Sequence, residues 1–128
     1  MLLCMSVQQH PTLNIALLSS PAEAEHLQAL VDPTHHSISC FLTLESLAGR
    51  LDASPPVHAA LLDIETAPLT QDQVLSLASR HPDTVLFCLT RRAVHPELKK
   101  SIQDVFFACI TKPVQYEELH FFLNCIDI

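Results

Sequence analysis

Short runs of apolar residues alternate along the chain with longer amphipathic stretches, and prolines separate the two. Apolar runs bounded by turn-forming residues are typical of strands that are buried on both faces. Five segments fit this pattern, at residues 13–18, 37–42, 57–62, 84–89 and 108–111. The pattern therefore predicts five strands.

The stretches between and after these strands have helical periodicity. Apolar residues recur at i, i+3, i+4 and i+7 in the second and the last stretch, which places them on one helix face: Leu44, Leu47, Ala48 and Leu51, and Leu119, Phe122, Leu123 and Ile126. Pro21 predicts the start of the first helix, and Thr70 followed by Gln73 predicts a capping box at the third.

The resulting order is five strands alternating with five helices. Strands that are apolar on both faces and joined by helical crossovers indicate a parallel sheet covered on both sides, an α/β fold. A chain of 128 residues suits one such domain. We assign residues 13–128 to it and residues 1–12 to an N-terminal extension.

Composition and charge exclude several classes of function. The net charge of −7 argues against nucleic-acid binding by this domain. The apolar runs are far shorter than the ~20 residues of a membrane helix, so no membrane contact is expected. A single glycine, Gly49, leaves no Walker loop, dinucleotide fingerprint or Gly-x-Ser-x-Gly elbow.

The cysteines and histidines indicate a compartment but no metal site. The five cysteines are odd in number, form no Cys-x-x-Cys pair and lie partly in apolar runs, as reduced thiols of a cytoplasmic protein do. The eight histidines form no i, i+4 pair. Scattered surface histidines are therefore the favoured interpretation over a zinc site.

Polar residues with complementary chemistry follow the predicted strands. Ser19 and Ser20 follow the first strand, Asp63 the third, Thr90 the fourth and Lys112 the fifth. In a parallel sheet the carboxyl ends of the strands form the functional crevice. We therefore expect a carboxylate, a hydroxyl and an ammonium group to converge at one edge of the sheet.

With these residues, the chain resembles the receiver domain of two-component response regulators from residue 13 to residue 126. Leu61-Leu62-Asp63-Ile64 resembles the strand with the phosphoacceptor aspartate, Leu89-Thr90 the strand end with the switch hydroxyl, and Thr111-Lys112-Pro113 the Lys-Pro pair, where the family has a cis peptide. The resemblance implies a doubly wound, five-stranded parallel sheet of the flavodoxin-like, CheY-like (βα)5 type.

The resemblance also implies a role for each matching residue. Asp63 would attack the phosphorus of a phosphohistidine in a sensor histidine kinase. Lys112 would pair with Asp63 and then with a phosphoryl oxygen, and Thr90 would swing inward to another. Positioning and charge neutralisation of this kind are what phosphoryl transfer requires.

Several positions depart from the family pattern. Ser19 and Ser20 stand where the family has an acidic pair for Mg²⁺, and hydroxyls bind a hard dication poorly. Asp63 and the backbone of Glu65 would hold Mg²⁺ weakly, so we expect either no cofactor or weakly bound Mg²⁺. Arg91 would cover the site or contact phosphate. Cys109 takes the place of the aromatic switch residue.

These departures favour a degenerate receiver, or pseudo-receiver, that acts by protein–protein interaction or dimerisation and controls an output domain such as a transcription activator. The alternative is a functional phospho-receiver that accepts a phosphoryl group on Asp63. An enzyme with Ser19 or Ser20 as nucleophile is disfavoured because no histidine lies at a strand end, His58 being at the start of the third strand. Binding of a small ligand near the serines stays open.

The sequence also predicts an interaction surface. Tyr116, Phe121 and Cys125 form a second apolar stripe on the fifth helix, and Arg92, Lys99 and Lys100 make the fourth helix basic. We expect a homodimer through the fourth helix, fifth strand and fifth helix. Acidic residues of the last helix would meet the basic residues at the rim of the interface.

Overall fold

The computed structural model describes residues 12–34, 36–66, 69–91 and 105–126 of the chain. The strands of these residues are β1 Asn14–Leu18, β2 Ser37–Phe41, β3 Ala59–Asp63, β4 Val85–Thr90 and β5 Ala108–Thr111. The helices are α1 Pro21–Val31, α2 Leu44–Leu51, α3 Gln71–Arg80 and α4 Tyr116–Asn124, with a short 3₁₀ helix at Asp32–Thr34. Because α4 is the predicted fifth helix, we call it the C-terminal helix.

Two predictions fall on residues outside this description. The predicted fourth helix, between β4 and β5, lies there together with Arg92, Lys99 and Lys100. Residues 1–11 of the predicted N-terminal extension also lie there.

The five strands form one parallel sheet in the order β2-β1-β3-β4-β5. The chain runs outward from β1 in one direction to β2 and in the other through β3, β4 and β5. The order therefore reverses between β1 and β3, and ligands of doubly wound sheets bind at such a switch point. This topology confirms the predicted α/β, flavodoxin-like fold.

The sheet separates two hydrophobic layers. Successive residues of β3 alternate between them, since Ala60 and Leu62 pack on one face and Ala59 and Leu61 on the other. The first face is covered by α2 and α3, and the second by α1 and the C-terminal helix. Burial on both faces explains why the strands read as continuous apolar runs.

The helix starts follow from local side-chain chemistry. Pro21 begins α1 behind its N-cap residue Ser20. Thr70 and Gln73 form the predicted capping box of α3, with hydrogen bonds of 3.1 and 2.9 Å. No helix of the described residues has the length and apolar character to cross a membrane.

Strand ends differ from the prediction where they matter for the site. β3 and β4 extend one residue further than predicted, because Asp63 pairs with Leu89 and Thr90 with Thr111 in the ladder. Asp63 and Thr90 are thus fixed by the sheet rather than by loops. β2, by contrast, ends at Phe41, and Leu42, predicted as its last residue, is 62% exposed.

Candidate functional site

The carboxyl edge of the sheet brings three of the predicted polar residues into one buried cluster. Asp63 ends β3, Thr90 ends β4 and Lys112 directly follows β5. The sheet fully buries Asp63 and almost fully buries Thr90, and the Lys112 side chain is only 6% exposed. The peptide bond between Lys112 and Pro113 is cis, as the resemblance implied.

Lys112 and Asp63 form a symmetric ion pair at the centre of this cluster. The Lys112 ammonium nitrogen lies 2.9 Å from each carboxylate oxygen of Asp63. Buried charges are tolerated in proteins when they are paired and hydrogen-bonded in this way. The pair therefore keeps Asp63 compatible with its fully buried position.

The turn after β3 supplies further donors to Asp63. Its Oδ1 atom accepts hydrogen bonds from the backbone N–H groups of Glu65, at 3.0 Å, and Thr66, at 3.3 Å. Its Oδ2 atom accepts one from the Thr66 hydroxyl, at 3.0 Å. Together with the two contacts from Lys112, five donor contacts surround the carboxylate. A carboxylate has about four lone-pair sites, so its capacity as an acceptor is filled.

The side chain of Glu65 joins the cluster, although the sequence argument assigned only its backbone a role. One carboxylate oxygen, Oε1, lies 3.0 Å from the Lys112 ammonium nitrogen. The Thr90 hydroxyl donates to Oε2 at 3.3 Å, and the Arg91 backbone N–H lies 3.1 Å from both oxygens. Arg91 therefore reaches the site through its amide.

Neighbouring charges change the acid–base behaviour of both ends of this network. Burial opposes ionisation of Glu65, but hydrogen bonds from Lys112, the Arg91 amide and Thr90, together with the Lys112 charge, lower the pKa of Glu65 below its usual value. Burial likewise opposes the charge on Lys112, but its hydrogen bonds to the two carboxylates and their charges raise its pKa. The charged forms therefore stabilise one another.

The first strand ends in neutral groups that serve the local backbone. The Ser19 hydroxyl is buried and donates to the carbonyl oxygen of Ser20 at 3.0 Å. The Ser20 hydroxyl accepts a hydrogen bond from the Glu23 backbone N–H at 3.3 Å and so caps α1. The hydroxyl groups of both serines are therefore engaged in hydrogen bonds with the local backbone.

These groups fit a magnesium ion poorly. Mg²⁺ is normally bound through carboxylate oxygens and water in a strict octahedron. The oxygens of Asp63 are already surrounded by donors, and the serines bring no charge. Within the described residues, no three His, Cys, Asp or Glu side chains are grouped to hold a metal ion.

Two cysteines lie beside the site on neighbouring strands. Cys109, which the resemblance placed at the aromatic switch position, is in register with the buried Cys88. A hydrogen bond between the two thiols, followed by burial, raises the pKa of Cys88, and the same bond lowers that of Cys109. The inner thiol is therefore a structural donor rather than a nucleophile.

Several histidines act as backbone partners, which differs from the expected scatter over the surface. The Nδ1 atoms of His36 and His58 accept hydrogen bonds from the N–H groups of Leu13 and Asn14, at 2.9 and 2.8 Å. Both contacts lie at the amino end of β1, opposite the polar cluster.

The C-terminal helix exposes the aromatic residues that the sequence assigned to an interface. Phe121 is 64% exposed, Tyr116 is 42% exposed, and Cys125 is also exposed. Phe107, which the sequence argument missed, is 53% exposed and contacts Phe122 edge to face with ring centroids 6.3 Å apart. We call Phe107, Tyr116, Phe121 and Cys125 the aromatic surface.

Several solved structures with the same fold are named as receiver domains or response regulators. A CheY-like response-regulator receiver domain from Methanospirillum hungatei JF-1 gives a TM-score of 0.76 at 15% sequence identity, covering 89% of this chain and 92% of that one. The chemotaxis protein CheY4 of Vibrio cholerae gives 0.76 at 14% identity, over 91% of this chain and 100% of that one.

A protein of Burkholderia thailandensis E264 named for pilus assembly (CpaE) gives a TM-score of 0.73 at 17% identity, over 88% of this chain and 96% of that one. No family model and no curated protein matches the sequence. At such low identities the similarity shows that the chain has the receiver-domain fold.

Proposed function

We propose that this domain is a pseudo-receiver, a signalling module that acts through protein–protein contact without phosphorylation of Asp63. The observation that carries the proposal is the saturation of the Asp63 carboxylate by Lys112, the Glu65 amide and Thr66. In this role the domain is not an enzyme. It regulates a partner or an output domain, a transcription activator being one candidate.

The state of Asp63 opposes phosphoryl transfer on two grounds. A nucleophile needs an open lone pair and a path for in-line attack, and Asp63 is fully buried with both oxygens occupied. The transferring group also needs charge neutralisation, and Ser19 and Ser20 give no carboxylates to bring a dication to it.

A second candidate function is the working phospho-receiver. It is favoured by the placement of Asp63, Thr90 and Lys112 at three adjacent strand ends. A sensor histidine kinase would then be the partner. The neighbours named for chemotaxis and for pilus assembly share only the fold with this chain, and a fold does not decide between these roles.

Incubation with acetyl phosphate and Mg²⁺, followed by intact-protein mass spectrometry, distinguishes the two candidates. We expect the wild type and Asp63→Asn to give the same spectrum, without a phosphoryl adduct. An adduct on the wild type that is missing from Asp63→Asn would establish the phospho-receiver and refute our proposal.

We further propose that the aromatic surface is the contact surface and that a second copy of the chain binds it. Three large aromatic side chains are exposed on neighbouring parts of the chain, one directly before β5 and two on the C-terminal helix. Burying one phenylalanine contributes about 2 kcal/mol, and a two-fold axis doubles each contact. Basic residues of the predicted fourth helix would meet Glu117 and Glu118 at the rim.

Sedimentation velocity tests this dimer. The wild type should dimerise at micromolar concentration, and Phe121→Asp should weaken the dimer by at least about tenfold because a buried carboxylate is costly. Leu42→Asp is the matched control, since Leu42 is equally exposed but lies after β2. A wild type that stays monomeric at ~100 μM would refute self-association and leave docking of a different protein.

A further inference from the structure

Three hydrogen-bond donors from separate parts of the chain converge on the carboxylate of Glu65. They are the hydroxyl of Thr90 at the end of β4, the backbone N–H of Arg91, and the ammonium group of Lys112 after β5. All three lie 3.0–3.3 Å from the carboxylate oxygens. A single side chain thus satisfies donors from two strand ends.

These donors are typical of a site for a small oxyanion. A hydroxyl, an amide and an ammonium group held around one point stabilise negative charge, most strongly where water is excluded. Thr90 is almost completely buried and the Lys112 side chain is 6% exposed. A carboxylate brings only two oxygens, and the Arg91 N–H is shared between them at 3.1 Å each.

The turn that carries Glu65 is held in advance. Asp63 accepts hydrogen bonds from the N–H groups of Glu65 and Thr66 and from the Thr66 hydroxyl, which fixes the backbone two and three residues after β3. Little conformational freedom is then lost when the Glu65 carboxylate meets its donors. The hydrogen bonds of this turn therefore position the Glu65 carboxylate near its donors.

The receiver resemblance already directs Thr90 and Lys112 at the oxygens of a phosphoryl group. We infer that in this chain the Glu65 carboxylate is the built-in occupant of the anion site formed by Thr90, the Arg91 amide and Lys112. This inference rests on the proposed function, in which Asp63 does not carry the anion. The carboxylate keeps the Thr90 hydroxyl turned toward the cluster without any external ligand. A tethered group acts at a high effective concentration, so free phosphate has to compete with it.

Titration with inorganic phosphate, followed by NMR of the backbone amides, tests the inference. In Glu65→Ala the Arg91 amide should shift on addition of phosphate, with an affinity at least about tenfold tighter than in the wild type. Adding Thr90→Val to Glu65→Ala should weaken phosphate binding again. Glu25→Ala, at an exposed position of α1, is the charge-matched control and should behave as the wild type.

Equal phosphate affinity in the wild type and Glu65→Ala would overturn the inference. So would phosphate shifts that spare Arg91 and Lys112. If Glu65→Ala does not fold, Glu65→Gln is the alternative, because it keeps the size of the side chain with one acceptor oxygen. The Arg91 amide proton should then resonate upfield of its position in the wild type, since a neutral amide is a weaker acceptor than a carboxylate. An unmoved resonance would refute the contact.

The result is separable from the test of the proposed function. An acyl phosphate on wild-type Asp63 would refute the pseudo-receiver but would leave the phosphate titration of Glu65→Ala unchanged. A flat titration of that variant would refute the built-in occupant and would not create an acyl phosphate on the wild type.

Discussion

The two halves of one sheet edge differ in chemistry, since one half is charged and the other is neutral. At the ends of β3, β4 and β5, charged groups form a closed network around Lys112. At the end of β1, Ser19 and Ser20 are neutral and hydrogen-bond to their own backbone. Since both halves stand on the same rigid sheet, the difference comes from side-chain identity alone.

The comparison shows how the side chains of this edge balance one another's charges. Asp63 and Glu65 share the single positive charge of Lys112, which leaves the network a formal charge of −1. Carboxylates at Ser19 and Ser20 would add two negative charges nearby, which would repel Asp63 and Glu65 and favour the binding of a cation. Because the neutral half adds no charge, Lys112 is enough to pair with both carboxylates of the charged half.

Breaking the charged half should have the largest effect. Lys112→Met leaves Asp63 buried without its partner, and loss of one partner of a buried ion pair costs about 3 kcal/mol or more. Urea unfolding at neutral pH should show this loss. The double variant Asp63→Asn with Lys112→Met removes the unpaired charge and should recover most of the stability.

Ser19→Ala is the reference for the neutral half. It removes one hydrogen bond between neutral groups, so we expect a loss of about 1 kcal/mol. If Lys112→Met were no more destabilising than Ser19→Ala, the ion pair would contribute nothing special and the contrast between the halves would disappear.

Restoring charge to the neutral half should have an intermediate effect. Ser19→Asp combined with Ser20→Asp should raise the affinity for Mg²⁺ by at least about tenfold, measured by calorimetry, because carboxylates are the ligands this ion prefers. Aspartate also caps helices, so α1 should keep its start.

The control for this variant carries the same two charges on an exposed face, as Ser76→Asp and Ser79→Asp in α3. It should leave the affinity for Mg²⁺ as in the wild type. Sub-millimolar Mg²⁺ binding by the wild type itself would show that the neutral half is no barrier to the metal.

The smallest effect should be a pH dependence that belongs to Glu65. Because its pKa is lower in the folded protein than the ordinary 4.5, its contribution to stability is complete above about pH 4.5 and is lost as the pH falls through the folded value. Urea unfolding should therefore find Glu65→Gln less stable than the wild type at pH 7, with a gap that narrows in acid. Glu25→Gln is the matched control, and a gap unchanged down to pH 3 would contradict the assignment.

The sequence was sufficient for the fold because burial and periodicity act locally. β3 is buried on both faces and reads as an apolar run, and the capping box of Thr70 and Gln73 is a contact within one turn. The strand ends then followed from topology. Asp63, Thr90 and Lys112 could be placed at one edge because parallel strands share their direction.

The orientation of side chains in the turn after β3 could not be predicted from burial, periodicity or topology. Glu65 and Thr66 follow Asp63 by two and three residues, and only the hydrogen bonds of that turn decide which groups point back to the site. Phe107 was missed for a similar reason, since it precedes β5 and its exposure depends on packing against Phe122. Such contacts are set by tertiary structure.

The composition of the chain makes the aromatic surface observable by intrinsic fluorescence. The protein has no tryptophan and a single tyrosine, so its intrinsic emission originates at Tyr116 when the excitation wavelength is one that phenylalanine does not absorb. The Tyr116 ring lies against His120, with centroids 4.0 Å apart, and is partly open to water. Any molecule that covers this face changes the surroundings of the one emitting side chain, and an unlabelled sample reports its own occupancy.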